Sequence, residues 1–216
     1  MPARTPRKPE HPILWIVAGP NGSGKSTLYN LTSIKDWGGS VWIINPDLLT
    51  AKIIESEGLT QWDANLAAVQ RVETWLDASI AAYQTIGVET VLSSSKYRRL
   101  VEDAHVRGFE VRMIYVLLDS VDRQLARIRR RVSEGGHDVP ADKVASRRSR
   151  SLEQFAWFVS EVDRCFVFDN SSGNPDLIAV GTPAGLVRYG NLPADFEAAL
   201  LAEGVFIAGW VDDLLG

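Results

Sequence analysis

The sequence predicts a single α/β domain, built on a mostly parallel sheet with helices on both faces. The first observation is Ile13–Ala18, a continuous apolar run that is typical of a strand buried on both faces. The second is the glycine-rich turn that follows this run and leads into a helical segment. The third is the alternation of short apolar runs with longer amphipathic segments, which continues as far as Phe168.

The composition narrows the classes of protein to consider. A length of 216 residues suits one domain, and 45% hydrophobic residues suffice for a sizeable core. A formal net charge of −4 disfavours nucleic acid as a partner for the whole surface. Cys165 is the single cysteine, which excludes an intrachain disulfide and fits a cytoplasmic location. No apolar run is long enough to span a membrane.

The first twelve residues differ in character from the rest of the chain. They contain four prolines and three basic residues, and too short an apolar run follows them for a signal peptide. We therefore expect residues 1–12 to be a flexible arm and residues 13–216 to form the single domain.

The glycine-rich turn fits the P-loop pattern G-x-x-x-x-G-K-[ST], in the strand–turn–helix context that this motif requires. Its glycines let the backbone adopt positive φ and bring N–H groups close to an anion. Lys25 supplies an ammonium group for the β- and γ-phosphates, and the Ser26 hydroxyl suits Mg²⁺. A turn without a ligand is the alternative. The motif predicts an ATP–Mg²⁺ site formed by Gly19, Pro20, Asn21, Gly22, Ser23, Gly24, Lys25, Ser26 and Thr27.

Asp47 follows a second apolar run, Val41–Ile44, through the turn Asn45-Pro46. It is therefore expected just beyond the carboxyl end of a strand, where open α/β sheets bind ligands. Two interpretations stay open from these residues alone. Asp47 is either a carboxylate favoured at the start of a helix or a general base.

Glu89, Thr90 and Ser93 are expected at the end of a third strand, which begins at Val88. A carboxylate in a largely buried strand costs free energy unless it is paired or used. We therefore favour a functional role for Glu89, although pairing with the backbone or an arginine would also satisfy it. The serines that follow either form a turn or contact a substrate.

The segment from Asp119 to Arg150 is basic, with nine Lys/Arg against five carboxylates. It forms two predicted helices joined by a loop that contains Gly135-Gly136. Solvated helix faces and a nucleic-acid surface are possible interpretations, but no aromatic residues interleave the arginines to stack on bases. We prefer a lid that brings arginines over a phosphate. His137, in the loop, is expected to form hydrogen bonds rather than to act as a catalyst.

Three further predictions concern other parts of the chain. A helix capped at Thr60 should bury one apolar face formed by Trp62, Leu66, Val69, Val72, Leu76, Ile80 and Tyr83. Asp119 and Ser120 are expected to cap a helix rather than to hold a metal. Asn170, beyond the end of a strand, either meets the nucleotide base or turns the chain.

Near the C-terminus we expect a hairpin, a helix over Ala194–Ala202 and an apolar tail docked on the core.

Taken in order, these motifs resemble the zeta toxin family of P-loop kinases. The matching pieces are GPNGSGKST, the NPD at Asn45–Asp47, the ET at Glu89-Thr90, RV-x-x-GGHDVP from Arg131, and RR-x-RS over Arg147–Ser151. The resemblance extends from Ile13 to Ser171. The P-loop is shared by many folds, whereas the ordered combination is much more specific.

The resemblance implies a three-layer P-loop kinase fold with an arginine-bearing lid at about residues 131–150. It implies transfer of the γ-phosphate of ATP, with Mg²⁺, to a hydroxyl of a small molecule. In toxins of the family the acceptor is UDP-N-acetylglucosamine, and an antitoxin is a possible partner. Asp47 would take the acceptor's proton and Glu89 would bind the acceptor, while Arg131 and one or both of Arg147 and Arg148 would clamp the phosphate. Val91 departs from the Glu-x-Thr of the family's acceptor site, which leaves the acceptor open.

Overall fold

The computed structural model describes residues 11–31, 41–135 and 139–209. The strands are β1 (Ile13–Ala18), β2 (Ile43–Ile44), β3 (Ile86–Thr90), β4 (Glu110–Leu117), β5 (Arg164–Asp169), β6 (Asp176–Thr182), β7 (Gly185–Arg188) and β8 (Ile207–Ala208). The α-helices are α1 (Lys25–Leu31), α2 (Pro46–Glu57), α3 (Gln61–Ala81), α4 (Arg98–Val106), α5 (Val121–Ser133), α6 (Ala141–Glu161) and α7 (Ala194–Ala202). A short 3₁₀ turn, Ser95–Tyr97, precedes α4.

The sheet confirms the predicted mostly parallel architecture. The strand order is β2-β3-β1-β4-β5-β6-β7-β8, and the first five of these strands run parallel. Strand β6 is antiparallel to both of its neighbours. The chain leaves β1 toward β2 on one side and later crosses to β4 on the other. The turn after β1 therefore lies at the topological switch point, where such sheets bind ligands.

Helices cover both faces of the sheet, because β1 contributes alternate side chains to two separate cores. Leu14 and Ile16 pack in a cluster with residues of α3, α4, α6 and α7. Trp15 and Val17 pack in a second cluster with Leu28 of α1. A strand that is apolar at every position is the pattern that such two-sided burial requires.

Helix α3 begins after the predicted cap, since the Thr60 hydroxyl accepts a hydrogen bond from the backbone N–H of Asp63. Its predicted apolar face is only partly correct. Val72, Leu76 and Ile80 are buried, but Trp62, Leu66, Val69 and Tyr83 are exposed. The first half of α3 instead packs on α2 through the small side chains of Ala64 and Ala68. The large residues have the spacing of a buried face, but small residues form that face because they allow α2 and α3 to approach closely.

The C-terminal part agrees with its prediction where the structure describes it. Strands β6 and β7 form the expected hairpin, and α7 has the expected bounds. Val205 and Ile207 pack against the core, and β8 adds a short edge strand beside β7. The predicted arm up to residue 10, the tail beyond residue 209 and His137 lie outside the described residues. Among the described helices, none is both long and apolar enough to cross a membrane.

Candidate active site

The turn between β1 and α1 has the backbone that its glycines predict. Gly19, Gly22 and Gly24 have φ values of +141°, +76° and +93°, which L side chains rarely adopt. At Gly19 a Cβ atom would lie 2.0 Å from the carbonyl oxygen of Val116. The turn therefore passes so close to β4 that only glycine fits at this position.

The Lys25 side chain is buried in the centre of this turn. Its Nζ donates hydrogen bonds to the carbonyl oxygens of Gly19, at 2.9 Å, and Pro20, at 3.2 Å. Burial lowers the pKa of Lys25, the charges of Glu89 and Asp47 oppose that change, and the charge of Arg131 adds to it. Three predicted site residues from different parts of the chain therefore act on the lysine of the P-loop.

Glu89 is fixed by side chains of α1 and of the turn before α2. Its Oε2 accepts hydrogen bonds from Ser26 Oγ at 2.9 Å, Tyr29 OH at 2.8 Å and Asn45 Nδ2 at 2.8 Å. Its Oε1 lies 4.0 Å from Lys25 Nζ. The carboxylate is 9% exposed, so these donors compensate for its removal from water. Glu89 is therefore paired, as the alternative expected, but with these side chains instead of the backbone or an arginine, and its functional role stays a prediction.

The residues around Ser26 fit Mg²⁺. A serine hydroxyl has one hydrogen and two lone pairs, and here the hydrogen is donated to Glu89. Both lone pairs of Ser26 therefore remain available to a cation, with a carboxylate behind the ligand as in other metal sites. Among the described residues, no group of three or more His, Cys, Asp or Glu side chains is placed to hold a metal ion by itself. This agrees with Mg²⁺, which uses few protein groups together with phosphates.

Asp47 lies in the first turn of α2, directly after the short strand β2. Asn45 caps this helix: its Oδ1 accepts from the backbone N–H groups of Asp47, at 2.9 Å, and Leu48, at 3.2 Å. Asn45 also donates to Glu89. One asparagine thus connects the helix start that carries Asp47 to the carboxylate that orients Ser26. The Asp47 side chain is exposed toward solvent, and its charge reaches Lys25.

The end of β3 is held from two sides. Thr90 Oγ1 accepts a hydrogen bond from the Leu92 N–H at 3.0 Å, and Leu92 has a φ of +59°. From α6, Ser151 Oγ donates to the Val91 carbonyl at 2.7 Å. A left-handed leucine is costly and persists only where its surroundings fix it. Ser93 is half-buried next to this bend, so both predicted contacts, Thr90 and Ser93, lie at one strand end.

The two neighbouring arginines of α6 have different environments. Arg148 is 1% exposed and forms a bidentate ion pair with Asp195 of α7, at 2.6 Å and 3.0 Å. Arg147 is half-buried and has no hydrogen bond or ion pair within the described ranges. The ion pair gives Arg148 a structural role on α7, although its Nη1 is buried without a hydrogen-bond partner among the described residues. That one or both arginines clamp a phosphate stays a prediction, and Arg147 is the one whose guanidinium is not engaged by any residue that the structure describes.

Asn170 contacts the P-loop itself. Its side-chain Nδ2 donates to the Ser23 carbonyl at 2.8 Å, and its backbone carbonyl accepts from the Arg127 guanidinium. A Cβ on Gly24 would lie 2.2 Å from the same Nδ2. Asn170 is 4% exposed. The side-chain amide of Asn170 therefore holds the P-loop, which neither alternative included. The backbone of Asn170 also turns the chain, as one alternative predicted, because its carbonyl accepts from the Gly173 N–H at 3.2 Å.

Several arginines of the basic segment are paired on the surface of α5. Arg123 bonds Asp119 at 2.8 Å, and Arg130 bonds Glu134 at 3.0 Å. Ser120 caps α5, as predicted. Arg131 is exposed near the end of the helix. Paired, solvated charges of this kind give little support to the nucleic-acid interpretation.

Sequence reasoning missed Tyr29 and Arg127, which both contact predicted site residues. Tyr29 follows Ser26 by three positions, so the two share one face of α1. That spacing was a usable signal, because it aims a phenol at whatever Ser26 faces. Arg127 had no comparable signal among the other arginines of α5.

Comparison with known proteins places these features in context. An uncharacterized protein of Haemophilus influenzae is 30% identical over 146 residues, which cover 62% of this chain and 96% of that protein. A structure from the PezAT chromosomal toxin–antitoxin system of Streptococcus pneumoniae superposes with a TM-score of 0.57. It is 14% identical and covers 80% of this chain and 74% of its own.

A chain from the AvrRxo1-ORF1:-ORF2 complex with ATP superposes with a TM-score of 0.63 at 17% identity. The match covers 92% of this chain but only 66% of the AvrRxo1 chain. At such identities the two likenesses show the fold alone. The model of the Zeta toxin family matches residues 2–174. Because this match covers most of the 216 residues, the chain belongs to the zeta toxin family.

Proposed function

We propose that this protein is an ATP-dependent kinase that transfers the γ-phosphate to a hydroxyl of a small molecule. The observation that supports it best is the cluster in which Glu89 bonds Ser26 and Asn45 and lies 4.0 Å from Lys25, at the carboxyl edge of the sheet. Lysine and backbone donors suit the phosphates, a carboxylate suits a hydroxyl proton, and an arginine suits the charge of transfer.

ATP would be held by the N–H groups of the turn from Gly19 to Thr27. Lys25 now donates to two carbonyl oxygens of its own loop, and it would exchange them for the β- and γ-phosphates. Asn170, which bonds the Ser23 carbonyl, and Arg127, which bonds Asn170, would keep the turn in place. Since Asn170 is bonded to the loop, we do not assign it to the nucleotide base.

Mg²⁺ would be held by the Ser26 hydroxyl together with ATP, and when bound it neutralises the charge on the phosphates. Glu89 would keep the Ser26 hydrogen turned away from the cation and leave the lone pairs free. Tyr29 and Asn45 would restrain that carboxylate.

Asp47 would act as the general base. In the reaction its carboxylate takes the proton of the acceptor hydroxyl, the hydroxyl oxygen forms a bond to the γ-phosphorus, and ADP leaves. The Asp47 side chain is exposed, which leaves room for an acceptor beside it. The acceptor would rest against Glu89, Thr90 and Ser93 at the end of β3.

Arg131 and Arg147 would close on the phosphate from the lid, about residues 131–150. Arg131 is close enough to affect the pKa of Lys25. Arg147 lies on α6 four residues before Ser151, so both occupy one helix face. Ser151 bonds the end of β3, which directs that face of the helix toward the acceptor side.

A UDP-sugar is the acceptor class that family membership favours, and a toxin paired with an antitoxin is the corresponding biological role. The structure from the PezAT toxin–antitoxin system lends support to that role as a relative in fold. Val91, in place of the family's threonine, removes one hydroxyl from the acceptor site, so another hydroxylated metabolite is the alternative acceptor. A cytoplasmic location would supply both ATP and either acceptor.

The experiment is to incubate the full chain with ATP and Mg²⁺ and a panel of UDP-sugars, free sugars and nucleosides. Mass spectrometry then reports any compound that gains one phosphate while ADP forms. The Lys25→Ala variant is the negative control, and Lys52→Ala, an exposed lysine of α2, is the matched control. We expect one product class with the wild type and Lys52→Ala, and none with Lys25→Ala.

Two outcomes would contradict the proposal. The first is that no compound of the panel or of a whole-cell metabolite extract gains phosphate. The second is that product forms equally with Lys25→Ala. Growth arrest on expression that Asp47→Asn relieves would favour the toxin over a metabolite kinase without a toxic role.

A further inference from the structure

The C-terminal helix α7 contains a residue that acts on the proposed site from outside it. We propose that Asp195 is a positioning residue: it holds Arg148 and thereby fixes the rotation of α6, so that Arg147 points to the phosphate. The inference rests on the proposed function, because it concerns how one of its arginines is placed. The family match ends at residue 174, so this part of the chain carries no assigned role.

The ion pair between Asp195 and Arg148 restricts α6 because it is bidentate and buried on the arginine side. Both carboxylate oxygens are used, at 2.6 Å from Nε and 3.0 Å from Nη2. Arg148 is 1% exposed, so its charge has no water to replace the carboxylate. A planar guanidinium held at two atoms fixes direction as well as distance.

A second anchor lies three residues further along α6. The Ser151 hydroxyl donates to the Val91 carbonyl at 2.7 Å and also bonds Tyr115 OH at 2.8 Å. Arg148 and Ser151 lie on one side of the helix because they are three residues apart, but they bond different elements, α7 and the segment after β3. Two anchors to different elements restrict the rotation of a helix more than one anchor does.

Arg147 is placed by this rotation. It shares the face of Ser151 because the two are four residues apart. The same face continues to Gln154, which accepts a hydrogen bond from Arg98 of α4 at 3.1 Å. Because the contacts of this face hold α6 in place, the half-buried Arg147 would project toward the end of β3, where the acceptor is proposed to bind. It would do so without a protein partner among the residues described.

Helix α7 is itself firmly packed, as an anchor must be. Phe196 is fully buried, and its ring lies 5.0 Å from that of Phe155 of α6. The same helix carries a second ion pair, from Glu197 to Arg188 of β7 at 3.4 Å, which does not touch α6. Loss of that pair therefore disturbs α7 without releasing Arg148.

The test measures binding of a phosphoryl-transfer mimic and needs no acceptor. Calorimetry on the full chain gives the affinity for ADP–Mg²⁺ with and without aluminium fluoride, which imitates the transferring phosphate. The ratio of the two affinities reports the groups that clamp the phosphate, while ADP–Mg²⁺ alone reports an intact P-loop. The variants are Asp195→Asn, Asp195→Glu and Arg147→Ala, with Glu197→Gln as the matched control.

Each variant has its own expected result. Arg147→Ala should lower the ratio about 10²-fold, because a lid arginine contributes strongly to charge stabilisation. Asp195→Asn should lower it about 10-fold, since small displacements of a positioned group reduce rates steeply. Asp195→Glu keeps a carboxylate that can pair with Arg148, so the variant should fold, and it should lower the ratio by less than Asp195→Asn does. Glu197→Gln should leave the ratio within about twofold, and ADP–Mg²⁺ alone should bind all four variants as it binds the wild type.

The outcomes separate this inference from the proposed function. If Arg147→Ala lowers the ratio but both Asp195 variants keep the wild-type value, the positioning role is wrong and the function stands. It is equally wrong if Glu197→Gln lowers the ratio as much as Asp195→Asn. If the wild type shows no preference for aluminium fluoride and no compound of the acceptor panel gains phosphate, the proposed function itself has failed.

Discussion

The two halves of the proposed site differ in how completely their charged groups are paired. On the P-loop side, one oxygen of Glu89 accepts three hydrogen bonds of 2.8–2.9 Å, and Lys25 is buried among carbonyl oxygens. On the lid side, Arg147 is half-buried and has no partner within the described ranges. The difference indicates a division of work. The half proposed to receive ATP is preorganised, whereas Arg147 would gain its partner only with the ligand.

The largest expected effect is on the paired half. Lys25→Ala should lower phosphate transfer by about 10³-fold, because it removes the buried cation at the γ-phosphate. Initial rates of ADP formation with a saturating acceptor measure this effect, with Lys52→Ala as the control. If Lys25→Ala keeps more than a tenth of the wild-type rate, the buried lysine does not face the phosphates.

The next effect contrasts Arg147 with Arg148. Arg147→Ala should lower transfer by about 10²-fold, yet change the free energy of unfolding by less than about 0.5 kcal/mol. Arg148→Ala should lower the free energy of unfolding by about 3 kcal/mol, because it breaks a largely buried pair. Urea denaturation and transfer rates on both variants measure the two quantities. The opposite pattern would make Arg148 the clamp and Arg147 the structural residue.

A smaller effect concerns Glu89 and sharpens the metal assignment. Glu89→Gln should raise the Mg²⁺ concentration that half-saturates ATP binding by about 10-fold, because the group behind the Ser26 ligand loses its charge. Calorimetric titration of ATP at graded Mg²⁺ concentrations measures this, with the exposed Glu55→Gln as the control. A raised KM for the acceptor with unchanged Mg²⁺ dependence would instead support the acceptor-binding role that the sequence predicted.

The smallest effect is a pH dependence of stability in the protein without ATP. Burial lowers the pKa of Lys25 below its usual 10.5, so the unfolded chain binds this proton more tightly than the folded protein. The cost of burying the charge is therefore fully present below the folded pKa and is relieved as the pH rises toward 10.5. The free energy of unfolding of the wild type, relative to Lys25→Met, should therefore rise as the pH increases from the folded pKa toward 10.5. If this difference in the free energy of unfolding stays constant or falls, the Lys25 ammonium group is not desolvated in the folded protein.

The sequence predicted the sheet, its helices and the position of the P-loop because these depend on local patterns. Ile13–Ala18 is apolar at every position, and only a strand covered on both faces uses such a run. Gly19, Gly22 and Gly24 fix a backbone that few other residues could adopt. Asp47 could be placed near Glu89 because one follows β2 and the other lies near the end of β3, and parallel strands end at one edge.

What the sequence could not predict depends on partners that are distant in the chain. Arg147 and Arg148 are adjacent and chemically identical, and only Asp195, 47 positions away, distinguishes them. Asn170 reaches Ser23 over 147 positions. On α3 the spacing was correct but the choice of face was not, because close packing with α2 favours Ala64 and Ala68 over Trp62 and Leu66. Such choices depend on which surfaces meet in the folded molecule.

The central claim, that Asp47 takes the proton of an alcohol while the P-loop presents ATP, is tested most directly by one comparison. Wild type and Asp47→Asn are loaded with ATP and Mg²⁺ and mixed with the phosphate-accepting compound, and the rate of phosphate transfer is followed by rapid quench. The claim predicts unchanged ATP affinity and a transfer rate lower by about 10²–10⁴-fold in Asp47→Asn. Equal transfer rates in the two proteins would contradict it.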